Sequence, residues 1–161
     1  MGETTSGKLK VAPRGDREIV LERILDAPRD LVFKVLTDPQ LVPKWWGRTV
    51  DTATVDKMDV RPGGLWRFVT RSTDGDEHAF RGEFREIVPP ERLVQTVEWE
   101  GLPGHISVET MTLEDEGGKT KMTITSLFDS VEDRDGMLQS GMETGASETY
   151  DRLEELLATM R

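Results

Sequence analysis

The chain has 161 residues, of which 35% are hydrophobic and 32% are charged, and it contains no cysteine. This length fits one domain with a sizeable core, and the lack of cysteine excludes disulfides, thiolate catalysis and cysteine-based metal centres. The net charge of −10 argues against binding to nucleic acid or to an anionic membrane surface, because both require clustered Lys and Arg.

The start of the chain is polar. Residues 1–15 lack the apolar run of a signal peptide, and no stretch approaches the ~18 apolar residues of a membrane span. We therefore predict that residues 1–15 form a disordered polar leader and that residues 16–161 form a single domain. The same observations predict a soluble, cytoplasmic protein.

The N-terminal part of the domain predicts a strand followed by two short helices. Residues 16–27 alternate, imperfectly, between apolar and polar side chains, which is typical of a strand. The spacing of the apolar residues in 28–37 predicts a short helix. The pair Asp38-Pro39 predicts the start of a second helix, which Pro43 ends after about one turn.

The middle of the chain predicts a meandering antiparallel sheet. Turn-forming Gly, Pro and Asp residues recur at intervals and separate six runs of strand length. With the strand at 16–27, these runs give a curved sheet of seven strands. The six runs are residues 48–60, 65–72, 77–88, 92–100, 105–115 and 119–128.

The last part of the chain predicts one long helix. Ser130 is a capping residue, and apolar residues recur at helical spacing over 131–161 without a proline. Gly141 and Gly145 weaken the first half of this helix. Because it is the longest helix, we expect it to cover one face of the sheet, which gives an α+β fold.

Strand parity predicts an interior rich in Trp, Phe and Met. Alternate residues of a strand share a face, so one set of side chains in each strand points towards the long helix. Two interpretations stay open: an apolar ligand cavity between sheet and helix, and a filled core in which Met fills gaps. The candidate cavity residues are Trp45, Trp46, Trp66, Phe68, Phe80, Phe84, Trp99, Met111, Met122 and Met142.

Few residues are candidates for catalysis. The two histidines, His78 and His105, lie on separate predicted strands without paired metal-ligand spacing, so we predict neither a metal nor a cofactor. His78 shares a face with the aromatic residues and is either a general base or a satisfied histidine near a strand end. Glu86 points inward unless a bulge turns it outward, and Tyr150 is the third candidate proton carrier.

Five segments resemble, in the same order, one known family. They are residues 26–47 (DAPRDLVFKVLTDPQLVPKWWG), 59–68 (DVRPGGLWRF), 81–99 (RGEFREIVPPERLVQTVEW), 117–126 (GGKTKMTITS) and 141–157 (GMETGASETYDRLEELL). The chain resembles the bacterial single-domain relatives of the C-terminal domain of the Hsp90 ATPase activator. This family belongs to the START-like superfamily, also called SRPBCC or helix-grip. The resemblance implies a curved antiparallel sheet that grips the C-terminal helix over an apolar cavity.

The resemblance also implies a function, because members of the superfamily bind lipids, hormones and polyketides. We therefore expect non-catalytic binding of a small apolar or aromatic molecule. One alternative is a domain that contacts an Hsp90-class chaperone, and another is an enzyme of cyclase or hydrolase type acting on a bound aromatic or polyketide substrate. Met142 stands where many relatives have Trp, so the identity of the ligand does not transfer.

Overall fold

The computed structural model describes residues 8–161 and contains one eight-stranded antiparallel sheet with helices packed against it. The strands are β1 (Lys10–Arg14), β2 (Glu18–Leu25), β3 (Thr52–Met58), β4 (Leu65–Arg71), β5 (Glu77–Val88), β6 (Arg92–Trp99), β7 (Ile106–Glu116) and β8 (Lys119–Leu127). The helices are α1 (Arg29–Thr37), a 3₁₀ helix (Val42–Lys44), α2 (Val131–Gln139) and α3 (Met142–Met160). The predicted α+β class is confirmed, with eight strands in place of seven.

The strand order is β1-β2-β8-β7-β6-β5-β4-β3. From β3 to β8 each strand pairs with the next one in the sequence, as expected for a meander. The strand β2 pairs with β8 instead, so the connection from β2 to β3 has to cross the whole sheet. This connection contains α1 and the 3₁₀ helix, and α1 contacts β7, β8 and α3.

The edge of the sheet at β1 corrects one prediction. Residues 10–14 of the expected leader pair with β2, from Lys10 opposite Glu22 to Arg14 opposite Glu18. The prediction of disorder is wrong for these residues because the backbone of β2 offers them a free edge, and Leu9 is buried in the core. Residues 1–7 of the predicted leader lie outside the described residues.

The predicted long helix is divided into α2 and α3. Gly141 lies between them with a φ of 83°, a conformation that favours glycine and ends the regular helix. The predicted cap is confirmed, because Ser130 Oγ accepts a hydrogen bond from the Asp133 N–H at 3.1 Å. The prediction of one helix over 131–161 is therefore wrong at Gly141.

The 3₁₀ helix is fixed to α1 by a tryptophan. The Trp45 indole Nε1 donates a hydrogen bond to the carbonyl oxygen of Val35 at 3.1 Å. Pro43 lies inside this helix and does not end it, because the first turn of a helix needs no N–H donor from proline. The helix therefore brings the segment that follows Trp45 over the sheet.

The core fills one part of the space between sheet and helices. Strand parity correctly directs side chains such as Trp66, Phe84 and Met122 into this core. The C-terminal half of α3 adds Leu153 and Leu157, which are both fully buried. The largest fully buried side chains include Trp66, Phe84, Ile19, Leu25, Met122, Ile124, Val32, Val35 and Val42.

A buried arginine fastens α3 to the sheet. The side chain of Arg23 in β2 is 2% exposed, with Nη1 2.9 Å from Asp151 Oδ1 and Nη2 3.3 Å from Glu154 Oε1. Glu154 also accepts a hydrogen bond from the backbone N–H of Asp26 at 2.8 Å. Because a buried charge requires such partners, these contacts fix where the C-terminal half of α3 lies on β2.

The backbone of Gly82 in β5 is so closely packed that no side chain fits there. A Cβ atom at this position would lie 1.8 Å from the carbonyl oxygen of Thr96 and 2.6 Å from Trp66 Nε1. A Cβ on Gly136 in α2, in contrast, would have no atom within 4 Å. The two glycines thus form a matched pair for substitution.

We expect Gly82→Ala to lower the free energy of unfolding by about 3 kcal/mol, because β6 and the Trp66 ring would have to move. Gly136→Ala should leave it unchanged or raise it by up to ~1 kcal/mol, since alanine favours the helix. Urea denaturation of both variants measures the difference. Equal effects of the two substitutions would contradict the close packing at Gly82.

Candidate ligand-binding cavity

A cavity of about 530 Å³ lies between the sheet and the N-terminal half of α3 and is partly open to solvent. Its apolar wall consists of Leu21, Trp46, Phe80, Ile124, Met142 and Ala146. Polar atoms enter the lining from Thr70, His78, Glu109, Ser126, Thr149 and Tyr150, and Arg48 and Asp51 also contribute. This combination of an apolar wall with a few polar groups is typical of small-molecule sites.

The helix α3 lines the cavity with one face of its N-terminal half. The residues of this face are Met142, Gly145, Ala146, Thr149 and Tyr150, which follow helical spacing. A Cβ on Gly145 would have no atom within 4 Å, so this position leaves open space. In the next turns, Leu153 and Leu157 are fully buried and fill the equivalent space.

Of the two adjacent tryptophans, Trp45 lies in the core and Trp46 lines the cavity. Trp45 is 4% exposed and stacks on Tyr150, with ring centroids 6.3 Å apart and planes at 26°. Trp46 lines the cavity and packs edge-to-face on Phe68 at 4.9 Å and on Phe80 at 6.0 Å. Aromatic pairs favour this geometry, so the Trp46 ring has a fixed position in the cavity wall.

One arginine of α3 holds the backbone of the turn that carries Trp46. Arg152 Nη1 donates to the carbonyl oxygens of Trp46 (3.0 Å), Gly47 (3.1 Å) and Arg48 (3.0 Å), and Nη2 donates to that of Lys44 (3.0 Å). The Thr149 hydroxyl also donates to the Gly47 carbonyl oxygen at 3.0 Å. Carbonyl groups at the end of a helix lack partners within it, and a guanidinium with several donors satisfies them together.

Two of the titratable groups that line the cavity, Glu109 and Tyr150, have pKa values raised by burial. Glu109 of β7 accepts a hydrogen bond from Gln95 Nε2 at 3.3 Å, and loss of solvent raises the pKa of its carboxyl above the ordinary value. Burial likewise raises the pKa of the Tyr150 hydroxyl, and the negative charge of Glu109 adds to this effect. Burial therefore disfavours the ionised form of both groups.

The predicted cavity residues separate into two groups. Trp46, Phe80 and Met142 line the cavity, as do His78 and Tyr150, two of the candidate proton carriers. The other predicted residues apart from Trp99 lie in the filled core, where their side chains pack against other buried side chains. These core residues are Trp45, Trp66, Phe68, Phe84, Met111 and Met122. The prediction that they line a cavity is wrong, although their inward direction is correct.

Trp99 and Glu86 lie elsewhere. Trp99 is 39% exposed, and its ring lies over Gly101, where a Cβ would approach the ring to 2.4 Å. Glu86 is exposed and forms an ion pair with Arg92 at 2.5 Å. The register of β5 shifts between Phe84 and Glu86, so the bulge turns Glu86 outward and it is not a proton carrier in the cavity.

Sequence reasoning missed Glu109 and Arg152. Glu109 has the same strand parity as Met111, which was predicted to line the cavity, so the alternation of side chains in β7 could have identified it. Arg152 offered no such signal, because its partners are backbone carbonyls of a turn that is distant in the sequence.

Two further features concern residues 8–161 only. No helix in this part of the chain combines the length and apolar character needed to cross a membrane. Within the same range, no three His, Asp or Glu side chains come together in a group that could hold a metal ion.

An antiparallel sheet packed on a long C-terminal helix, with an apolar cavity between them, defines a helix-grip protein of the START-like superfamily. The chain belongs to the Activator of Hsp90 ATPase homolog 1-like family, whose sequence profile matches residues 26–158. A comparison with curated proteins finds no match.

Solved structures with the same fold come from several bacteria. A crystal structure of a protein from Rhodobacter sphaeroides is 24% identical with a TM-score of 0.88, over 94% of this chain and 99% of that chain. A solution NMR structure of a protein from Arthrobacter aurescens is 25% identical with a TM-score of 0.85, over 93% and 91%. The AHSA1 protein from Silicibacter pomeroyi is 20% identical with a TM-score of 0.73, over 89% and 99%. The identities to the Rhodobacter sphaeroides and Silicibacter pomeroyi proteins are below 25%, so these two similarities show only that the fold is shared.

The raised pKa of Glu109 predicts a pH-dependent difference between the wild type and Glu109→Gln. A carboxyl whose pKa is raised by folding favours the folded state below its unfolded pKa, and this advantage is lost as the pH rises through the folded pKa. The neutral amide avoids the cost of burying a charge. The variant should therefore exceed the wild type in stability more at pH 8 than at pH 4.

Urea denaturation of both proteins at several pH values tests this. A difference in unfolding free energy that stays constant with pH would contradict the burial of the Glu109 carboxyl.

Proposed function

We propose that the protein binds a small apolar or aromatic molecule, without catalysis, in the cavity between the sheet and α3. The observation that carries this proposal is the largely apolar lining around a cavity volume of about 530 Å³. Ligand pockets usually have volumes of ~300–1,000 Å³, and protein interiors are otherwise close-packed. The aromatic and Met side chains of the lining support an apolar or aromatic ligand.

The held position of Trp46 also supports binding. Its ring is packed on Phe68 and Phe80, and its carbonyl oxygen is bonded to Arg152, so the wall exists before a ligand arrives. A preformed wall reduces the entropy that binding would cost.

The family description also names the Hsp90 ATPase, and contact with a chaperone of this class is the alternative function. Such contact needs an outer surface, whereas the features described above converge on an interior space. The two functions separate experimentally, because filling the cavity would leave a chaperone-binding surface intact. Stimulation of a purified Hsp90-class ATPase by a cavity-filled variant would favour the alternative.

A catalytic function is the other alternative. His78 and Tyr150 line the same cavity, but Glu86 is paired with Arg92 outside it. Acid–base catalysis needs groups within reach of one reacting atom. Turnover of a bound compound that ceases in both His78→Gln and Tyr150→Phe would favour this alternative over simple binding.

Filling the space beside Gly145 tests the proposed function. We expect Gly145→Leu to weaken binding of the neutral probe 1-naphthylmethanol by about tenfold or more, because a side chain would occupy the cavity. The same change should not lower the free energy of unfolding, since leucine favours a helix more than glycine by ~0.8 kcal/mol. Isothermal titration calorimetry and urea denaturation measure the two quantities.

Gly136→Leu is the matched control, because it lies in α2 with open space around it and does not line the cavity. This control should bind the probe as the wild type does. Equal binding by Gly145→Leu and the wild type would place the probe elsewhere. A wild type that binds neither this probe nor other neutral aromatic compounds of similar size would overturn the proposed function.

A further inference from the structure

Glu109 is a carboxyl group that faces the cavity without a cationic partner. Within the described part of the chain it takes part in one side-chain hydrogen bond, from the neutral amide of Gln95, and in no ion pair. It belongs to the lining, so one side of the carboxyl is directed towards the space that a ligand would occupy. Glu109 is half-buried, and a carboxyl in such a setting gains more from a hydrogen-bond donor than a fully exposed one does.

The cation that belongs to the cavity lining is already neutralised. Arg48 Nε and Nη2 both lie 3.1 Å from the carboxylate oxygens of Asp51, which gives a bidentate pair. Tyr150 is neutral, and its raised hydroxyl pKa keeps it so. His78 is exposed and has no carboxylate contact in the described residues. The titratable group left without an oppositely charged partner in the lining is therefore the Glu109 carboxyl, whose ionised form a cationic ligand would stabilise.

We propose that the ligand is amphipathic, with an apolar or aromatic body and one protonated amine that binds to the Glu109 carboxylate. This inference rests on the proposed function and adds the chemical class of the ligand. The amine would donate to the Glu109 carboxylate, while the body would contact the Trp46 and Phe80 side of the cavity. A ligand with a carboxylate in place of the amine would meet repulsion from Glu109 in a site of low dielectric constant.

The raised pKa of Glu109 agrees with this assignment. An ammonium group placed beside the carboxyl favours its ionised form and reverses the effect of burial. A neutral alcohol would form the hydrogen bond without this additional gain. The amine should therefore bind more tightly than an alcohol of the same shape.

Three probes of nearly equal size test the inference: 1-naphthylmethylamine, 1-naphthylmethanol and 1-naphthylacetate. Isothermal titration calorimetry with the full chain at pH 7.5 measures their dissociation constants. We expect the amine to bind about tenfold more tightly than the alcohol, and the acetate about tenfold more weakly than the alcohol. Glu109→Gln should bring the amine to the level of the alcohol and leave the alcohol within about threefold of its wild-type value.

Glu86→Gln is the matched control, because it makes the same chemical change in an exposed carboxylate that pairs with Arg92. It removes one negative charge without touching the cavity, so the wild-type preference for the amine should persist. This control separates a specific contact from general attraction of a cation to a protein of net charge −10.

The outcomes separate the two proposals. If the alcohol binds but the amine binds no more tightly, the inference is overturned while the proposed function stands. A preference for the amine that survives in Glu109→Gln also overturns it. If the wild type binds neither the amine, nor the alcohol, nor other neutral aromatic compounds of similar size, the proposed function fails and the inference fails with it.

Discussion

The contact between Arg152 and the turn at residues 44–48 is the interaction on which the cavity depends. One guanidinium group bonds to four carbonyl oxygens of this turn and so joins α3 to the segment that crosses the sheet. The ring of Trp46 is held on its other side by Phe68 and Phe80. Because the backbone and the ring of Trp46 are both held in place, the ring remains in the cavity wall and does not occupy the open space beside Gly145.

The two halves of α3 have different roles. The C-terminal half is fastened to the sheet by the buried Arg23 and fills the core with Leu153 and Leu157. The N-terminal half has Gly145 and Ala146 where bulk would close the cavity. The firm attachment of one half maintains the separation of the other from the sheet. A cavity that is kept open in this way differs from a packing defect, which a close-packed interior would remove.

Much of the fold could be predicted from the sequence, but only part of the site. Alternation within strands correctly directs Trp66, Phe84 and Met122 inward, since parity depends only on local backbone geometry. Parity does not predict which part of the sheet's inner face is covered by packed side chains and which part borders the cavity, because that depends on where the helices lie across the sheet. Six residues predicted for the cavity consequently lie in the core.

The outward direction of Glu86 follows from a bulge in β5, which is the alternative that strand parity left open. The pairing of β1 was not predicted, because it depends on the free edge of β2 and not on a local pattern. The alternation of side chains in β7 could have identified Glu109. The contacts of Arg152 could not be predicted in this way, because its four carbonyl partners lie far from it in the sequence.

Binding of a small aromatic molecule in the cavity is tested most directly by NMR of the protein with ¹³C-labelled methionine methyl groups during titration with 1-naphthylmethanol. Met142 lines the cavity, whereas Met122 is fully buried in the core. A probe that binds in the cavity should shift the Met142 methyl resonance strongly and the Met122 resonance little. A Met142 resonance that stays unchanged at saturating probe would contradict binding in the cavity.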